Sequence, residues 1–297
     1  MMDKESIAAW FQQLQDDICK QLEDTDKGKF QEDIWEREGG GGGRTRILNG
    51  NIIEKGGVNF SAVHGKTPPN ILKALGLSSA DFFATGVSIV MHPKSPMVPI
   101  IHMNVRYFEM SNGVSWFGGG IDLTPHYIDE ADAQYFHHQL KQVCDKHHPS
   151  YYPEFKEWAD NYFFLPHREE TRGIGGIFFD RLSASKDISM EERYAFVQDV
   201  GNLFAPLYIY FLCKNKDLPY GDPEKEWQML RRGRYVEFNL VWDKGTKFGL
   251  DTSGRTESIL MSLPPKANWQ YNFQPIEGSK EAKTIELLKK GINWMDE

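Results

Sequence analysis

The most regular pattern of apolar and polar positions lies between residues 83 and 127. Pro99-Ile-Ile-His-Met-Asn-Val-Arg-Tyr-Phe108 alternates strictly, with Ile101, Met103, Val105 and Tyr107 on one side and His102, Asn104 and Arg106 on the other. That period of two predicts a half-buried strand. Ser111-Asn112-Gly113 predicts a turn, because Asn and Gly tolerate positive φ. The chain then returns through Val114-Ser-Trp-Phe117 and Gly118-Gly119-Gly120 to Ile121-Asp122-Leu-Thr-Pro125. One sheet face would thus present an imidazole, an amide, a guanidinium and a nearby carboxylate. An idle solvated face is also polar, but it commonly mixes Lys, Glu and Thr, which this one lacks. Three consecutive glycines beside it mark a place where a ligand or another backbone comes close.

Around this centre the same reading predicts an amphipathic helix over residues 3–24, with Ile7, Trp10, Phe11, Leu14, Ile18 and Leu22 at helical spacing. Strands follow over 51–64 and 83–91, the second closed by His92-Pro93, with a short helix over 70–75 between them, opened by Pro68-Pro69 and ended by Gly76. A helix starts within 125–132 and reaches about residue 148, with Phe136, Leu140 and Val143 on its buried stripe, and residues 151–164 continue as helix. Residues 172–180 form a second glycine-flanked strand ending in Asp180. Ser189-Met-Glu-Glu192 is a capping box ahead of the stripe Phe196, Val200, Leu203, Phe204, Leu207, Tyr208 and Phe211. Three further strands are predicted over 230–242, 246–250 and 257–263, with a C-terminal helix over 279–290. The run Gly39 to Gly43 has two readings, a flexible linker or a mobile loop whose flanking Arg44 and Arg46 close over an anion. Strands joined by short turns favour a large, mostly antiparallel sheet with helices, an α+β class, in a single domain over residues 1–297.

Composition narrows the function. The chain is 13% aromatic, which suits a flat ligand, a broad interface or a thick core. A net charge of −8 argues against nucleic-acid or anionic-membrane partners. Cys19, Cys144 and Cys213 have no spacing for a disulfide framework or a Cys-x-x-Cys metal site. The opening Met-Met-Asp-Lys-Glu-Ser shows no apolar signal, and the longest apolar run, 204–213, is shorter than the ~20 residues a span needs. These features give the expectation of a cytoplasmic protein without a membrane span. No dinucleotide fingerprint, P-loop, nucleophile elbow or His-Glu-x-x-His motif is present, so no organic cofactor is indicated.

Two residue types carry candidate chemistry. His92, His102, His137 and His167 are metal-ligand candidates by type, although scattered rather than motif-spaced, and a hydrogen-bonded structural role is the competing reading. Arg44, Arg46, Arg106, Arg231, Arg232, Arg234 and Arg255 each sit beside glycine, a turn or a strand end. Pairing with the 42 acids accounts equally well for any one of them. As a set in an acidic protein they point to a substrate bearing several carboxylates.

Six stretches then act together: Trp35 ahead of Gly-Gly-Gly-Gly-Arg44; Gly-Val-Ser88 ahead of His92-Pro93; His102-Met-Asn-Val-Arg106-Tyr-Phe-Glu109; Trp-Phe-Gly-Gly-Gly-Ile-Asp122-Leu-Thr-Pro125; His167-Arg ahead of Arg172-Gly-Ile-Gly-Gly-Ile-Phe-Phe-Asp180; and Leu-Arg-Arg-Gly-Arg-Tyr-Val-Glu-Phe-Asn-Leu240. In this combination the chain resembles the aerobic, oxygen-dependent coproporphyrinogen III oxidases over nearly its whole length. The resemblance implies an antiparallel sheet with helices on both faces, a homodimer and a place in haem biosynthesis. It implies oxidative decarboxylation of two propionates of coproporphyrinogen III to vinyls, giving protoporphyrinogen IX, with dioxygen as co-substrate and no organic cofactor. By position it implies that Ser88, Asn104, Val105, Arg106, Ser253, Gly254 and Arg255 contact substrate. It implies that His102 donates a proton and that Asp122, an essential acid, meets the pyrrole N–H groups, with Arg106 completing the catalytic set. His92, His102, His137 and His167 match histidines assigned to a divalent metal. Two positions depart from the family pattern: Ser253 stands where Gly is common, and Arg181 follows Asp180 where a second acid is common.

Overall fold

A computed structural model describes residues 3–67, 72, 79–251 and 254–295. The helix expected over 70–75 falls, but for Leu72, outside the described residues, as does Ser253. Helix α1, Lys4–Asp26, opens on a capping box between Asp3 and Ser6 and buries Ile7, Phe11, Leu14, Ile18 and Leu22 along one stripe. Its last residue, the buried Asp26, ties the helix to the sheet. The carboxylate accepts backbone N–H groups of Gly28, Asn51, Ile52 and Ile53 at 2.7–3.0 Å.

The sheet has seven strands in the order β1-β2-β3-β4-β5-β6-β9, every neighbouring pair antiparallel. They are β1 Gln31–Glu36, β2 Gly41–Leu48, β3 Ile53–Lys66, β4 Asp81–Pro93, β5 Ile100–Met110, β6 Ser115–Thr124 and β9 Gly176–Leu182. The pair β7 Phe164–Leu165 and β8 Glu170–Thr171 stands apart. The five-glycine run is neither a linker nor a mobile loop. Gly39 and Gly40 lie in the β1–β2 turn, Gly40 at φ 113°, and Gly41, Gly42 and Gly43 are paired strand. Gly43 passes beneath the Trp35 ring, where a Cβ would lie 2.3 Å from the indole. Arg44 and Arg46 are spent on Gln15, Asp16 and Glu32, binding the sheet to α1 rather than waiting for an anion.

Alternation gives the sheet two unlike faces. One carries Val58, Val87, Ile101, Met103, Val105, Ile121, Ile177 and Phe179 into the core, against α1, α2 (Glu130–His147), α3 (Tyr151–Tyr162) and α4 (Met190–Asn215). The capping box of α4 forms as expected. Although residues 204–213 alone are too short to span a membrane, α4 as a whole is long and apolar enough. More than half of its most apolar 18-residue window is buried, as in a core helix. The other face is partly roofed by the C-terminal region, where three expected strands are helical: α5 Asp222–Glu237, a π-helical turn Phe238–Trp242, α6 Lys244–Asp251 and α7 Thr256–Leu260. Arg-Tyr-Val-Glu-Phe-Asn-Leu alternates as a strand does, yet Trp227, Leu230, Arg231, Tyr235 and Phe238 are buried at spacings of three and four. The helix start lies upstream, at Pro223 and at Glu224, whose carboxylate accepts the Gly221 N–H at 2.8 Å. Asp243, read as part of a turn, caps α6 by accepting Thr246 N–H and Oγ1–H at 2.7 Å each. Helix α8, Lys280–Leu287, completes an α+β fold with an antiparallel sheet between helices.

Candidate active site

In-register pairing lines up the residues of the roofed face in rows across the strands. One row reads Gly57, Val90, His102, Asp122, Gly176. The next reads Thr45, Asn59, Ser88, Asn104, Gly120, and the third Gly43, Ser61, Gly86, Arg106, Gly118. Six glycines in these rows, Gly43, Gly57, Gly86, Gly118, Gly120 and Gly176, leave a floor without side chains between polar groups. The face expected from β5 is therefore present and continues across five strands.

The first row lies under α5 and the π-helical turn. There Asp122 is buried, and both its oxygens are engaged. Arg172 reaches it with Nη2 at 2.7 Å from each oxygen and Nε at 3.2 Å, and His102 Nδ1 lies 2.8 Å from Oδ1. A carboxylate can only accept, so Nδ1 carries the proton and Nε2 is the free atom of the ring. Among the described residues no hydrogen bond to Nε2 is present. The His102 side chain is 22% exposed against 2% for Asp122, so His102 faces the opening and Asp122 stands behind it. Burial alone would raise the Asp122 pKa; the Arg172 charge and the His102 hydrogen bond outweigh it and hold the carboxyl below its usual range. Arg172 is itself buried among Phe163, Tyr235 and Phe238, with ring centroids 4.4–4.7 Å from the guanidinium, and donates to Asn239 Oδ1 at 2.9 Å. Asp122 thus stands behind His102, with both oxygens engaged by Arg172 and the imidazole.

The second and third rows are open. Trp35 Nε1 donates to Thr45 Oγ1 (3.1 Å), which donates to Asn59 Oδ1 (2.7 Å). Ser88 lies between Asn59 and Asn104. Arg106 donates from Nη1 to Asn104 Oδ1 and from Nη2 to Asp180 Oδ1, both at 2.7 Å. At the far edge Arg255, the N-cap of α7, pairs with Asp33, donates to Ser258 Oγ (3.2 Å) and lies over the Trp35 ring. Gly254 closes the loop before it, its N–H bonded to Gly249 O at 2.8 Å. Ser88, Asn104, Arg106 and Arg255 thus share one face. Val105 does not: the period of two turns its side chain, fully buried, into the opposite core.

The four histidines do not converge. His137, in α2 on the core side of the sheet, has Nδ1 at 3.0 Å from Tyr152 OH and Nε2 at 2.9 Å from Ile174 O. His167 accepts Trp242 Nε1–H at Nδ1 and meets Glu237 through Nε2. His92 is buried and bonded through Nε2 to Ser262 O at 2.8 Å. Burial pushes His92 and His137 each down to about 3, so both are neutral structural groups. No group of three or more His, Cys, Asp or Glu among the described residues is arranged to hold a metal. The donor set does not fit an ion, and the metal assignment of these four residues is corrected accordingly. Arg231, Arg232 and Arg234 also leave the candidate set. As helix residues they are turned into ion pairs with Glu170, Glu54 and Glu237.

Sequence reasoning missed Arg172 as a site residue, along with its partners Phe163, Tyr235, Phe238 and Asn239. The signal for Arg172 was present: it stands immediately before Gly173-Ile-Gly-Gly, the context that singled out the other arginines. Two rings of its aromatic sleeve, Tyr235 and Phe238, were hidden in a segment read as a strand.

A sequence model of the family described as Coproporphyrinogen III oxidase matches residues 6–294. The chain is 47% identical over 311 aligned positions to an oxygen-dependent coproporphyrinogen-III oxidase, chloroplastic, of Glycine max, covering 98% of this chain and 80% of that protein. The same identity and coverage hold for coproporphyrinogen-III oxidase 1, chloroplastic, of Arabidopsis thaliana. The match runs through both the roofed row and the open rows of this face, and the chain belongs to the coproporphyrinogen III oxidase family.

Proposed function

We propose that this protein, as one catalytic domain, converts two propionate arms of coproporphyrinogen III to vinyls at the expense of dioxygen, giving protoporphyrinogen IX. Per arm, R–CH2–CH2–COO⁻ + O2 + H⁺ gives R–CH=CH2 + CO2 + H2O2. The departing CO2 leaves its bonding pair in the new double bond, and dioxygen takes up two electrons and two protons. The two electrons come from the C–H bond that the arm loses beside the pyrrole, and the ring stays at the porphyrinogen level; the substrate is its own reductant, which fits a chain without nucleotide-binding motifs.

The observation that carries this reading is the meeting, on one glycine-floored face, of a proton-transfer group with two arginines at its edges, in a chain 47% identical to enzymes named for this activity. Arg106 and Arg255 stand on β5 and beside β1, four strand spacings apart, about 19 Å along the sheet. A macrocycle with extended carboxylate arms bridges such a span. Arg106 and Arg255 would hold arms, Asn104 and Ser88 line the floor beneath the ring, and His102 Nε2 would move a proton beside the reacting arm. Asp122 would fix the His102 tautomer and stabilise the imidazolium as it forms, as a buried carboxylate does behind a catalytic histidine. Arg172 keeps that carboxylate ionised and immobile.

The same reading includes a homodimer in the cytoplasm. Leu240, Val241, Trp242, Phe248 and Leu250, exposed on the π-helical turn and α6, supply an apolar surface that supports a dimer. Sedimentation and cell fractionation test these two points. The activity is tested by incubating metal-stripped protein with coproporphyrinogen III with and without air. Two CO2 released and two O2 consumed per macrocycle are expected. Binding of the macrocycle without oxygen uptake would identify a carrier and overturn the reading.

A further inference from the structure

Both arginines that flank the open face are already held by an acid. Arg106 Nη2 donates to Asp180 Oδ1 at 2.7 Å, and Arg255 Nη2 donates to Asp33. Neither pair is sealed: the side chains are 36% and 32% exposed in the first, 30% and 54% in the second. The Arg172–Asp122 pair, at 3% and 2%, is a different object. The floor is cut away to admit the first exposed pair. A Cβ on Gly118 would stand 2.5 Å from Asp180 Oδ1 and 2.9 Å from Arg106 Nη2. At the other edge Trp35, over Gly43, supports Arg255 at 5.9 Å from its ring.

A guanidinium without a partner folds back or recruits whatever anion is near. An acid beside it in the empty protein holds it extended, and a half-exposed pair is weak enough to exchange for another carboxylate. We propose that Asp180 and Asp33 are resident stand-ins for substrate carboxylates. They hold Arg106 and Arg255 in position over the open face and give way when a carboxylate arm arrives. This rests on the substrate class argued above. Affinity is then an exchange: the arm gains the arginine and the protein gives up its own ion pair. A ligand without carboxylates displaces nothing and is indifferent to either aspartate. Asp180 and Asp33 are positioning residues, acting on the ligand only through the arginines.

The test uses stable porphyrins and full-length protein, read by fluorescence quenching at equilibrium. Coproporphyrin III offers four carboxylates, and its tetra(hydroxyethyl)amide has the same ring without charge. Asp180→Asn and, separately, Asp33→Asn should each tighten binding of the acid about two- to fivefold, the worth of a half-exposed ion pair. Binding of the amide should be unchanged, and Asp180→Glu, which restores the competing charge, should return the acid's affinity toward wild type. Unfolding midpoints within experimental error of wild type identify the variants as folded. Unchanged or weakened binding of the acid, or equal shifts for acid and amide, overturns the exchange while wild-type binding of the acid still stands. A wild-type protein that binds neither porphyrin and consumes no oxygen overturns the substrate reading, and the exchange with it.

Discussion

Arg172 and Asp122 offer a perturbation whose structural and chemical consequences separate. Arg172→Met keeps an unbranched chain inside the sleeve of Phe163, Tyr235 and Phe238 but strands the Asp122 carboxylate, 1% exposed, with the His102 N–H as its remaining partner. Breaking one side of a buried pair costs about 3–5 kcal/mol. With a urea dependence near 3 kcal/mol per molar for a chain of this size, the midpoint should fall by about 1–1.7 M. Asp122→Asn alone strands the opposite charge and should cost a similar amount. The double variant removes both charges and leaves two neutral side chains in contact, an exchange that is often close to neutral. The two changes should therefore be strongly non-additive, the double variant lying close to wild type rather than at the sum of about 6–10 kcal/mol that the two single losses would give. Turnover should not return with it. An amide at 122 still accepts the His102 Nδ1–H but gives no charge to stabilise imidazolium, so kcat should stay down by about a hundredfold or more. Urea unfolding and oxygen uptake on the four proteins decide the matter. An Arg172→Met midpoint within about 0.3 M of wild type, or a double variant that regains turnover together with stability, would refute the assigned roles.

Other consequences are shorter to state. Both His92 and His137 have pKa values lowered by burial from 6.5 to about 3, so the folded state binds fewer protons than the unfolded chain between those limits. The stability they contribute is present above pH 6.5 and is lost as pH falls. Between pH 7 and 5 each should cost about 2 kcal/mol; a urea midpoint that stays flat over that interval falsifies the burial argument. Gly118→Ala should displace the Arg106 guanidinium from its place on the face and raise KM for coproporphyrinogen several-fold while the protein stays folded, and an unaltered KM would count against Arg106 as the holder of an arm. His167→Gln should leave turnover within about twofold of wild type, before and after chelation, because its ring meets Glu237 and Trp242 rather than the open face; a loss of about a hundredfold would restore a ligand role.

The sheet was legible because β5 and its neighbours obey the simplest rule in proteins, one side chain up and the next down. The same alternation sets the side chain of Val105 on the side opposite His102 and Arg106, and the structure buries it in the core there. Residues 230–242 were misread because a helix that buries arginines in ion pairs carries polar residues on its inner side as well, and it can imitate a period of two over seven residues. The discriminating signals, Pro223 and Glu224, lay before the segment being judged. The glycine run misled for a related reason. Its composition is that of a linker, whereas its cause is steric: Trp35 needs the space above Gly43. The pairing of Asp122 with Arg172 was not legible at all. The two are fifty residues apart on different elements, and they meet only because β9 adds to β6 and draws the chain from 172 to 176 against Leu123.

Two kinds of ion pair on a single sheet face also explain why the roof covers only part of it. Charges about 4 Å apart attract by roughly 1 kcal/mol in water and several-fold more at the effective dielectric of a protein surface, with the attraction growing as water is excluded. Beneath α5 and the π-helical turn, water is excluded, and Arg172 and Asp122 are locked. That fixity is what a histidine needs if its free nitrogen is to meet the same point in every catalytic cycle. Two rows further along the same strands the face is open, Arg106 and Asp180 are each about one-third exposed, and their attraction is small enough for a ligand carboxylate to match. Were the roof extended over Arg106, the pair would become as fixed as the buried one and the arginine would be lost to substrate. Were it withdrawn from Arg172, Asp122 would be hydrated and His102 released to rotate. The edge of the roof therefore falls between His102 and Asn104, neighbours on the same face of β5, where a proton must be handled on one side and a carboxylate exchanged on the other.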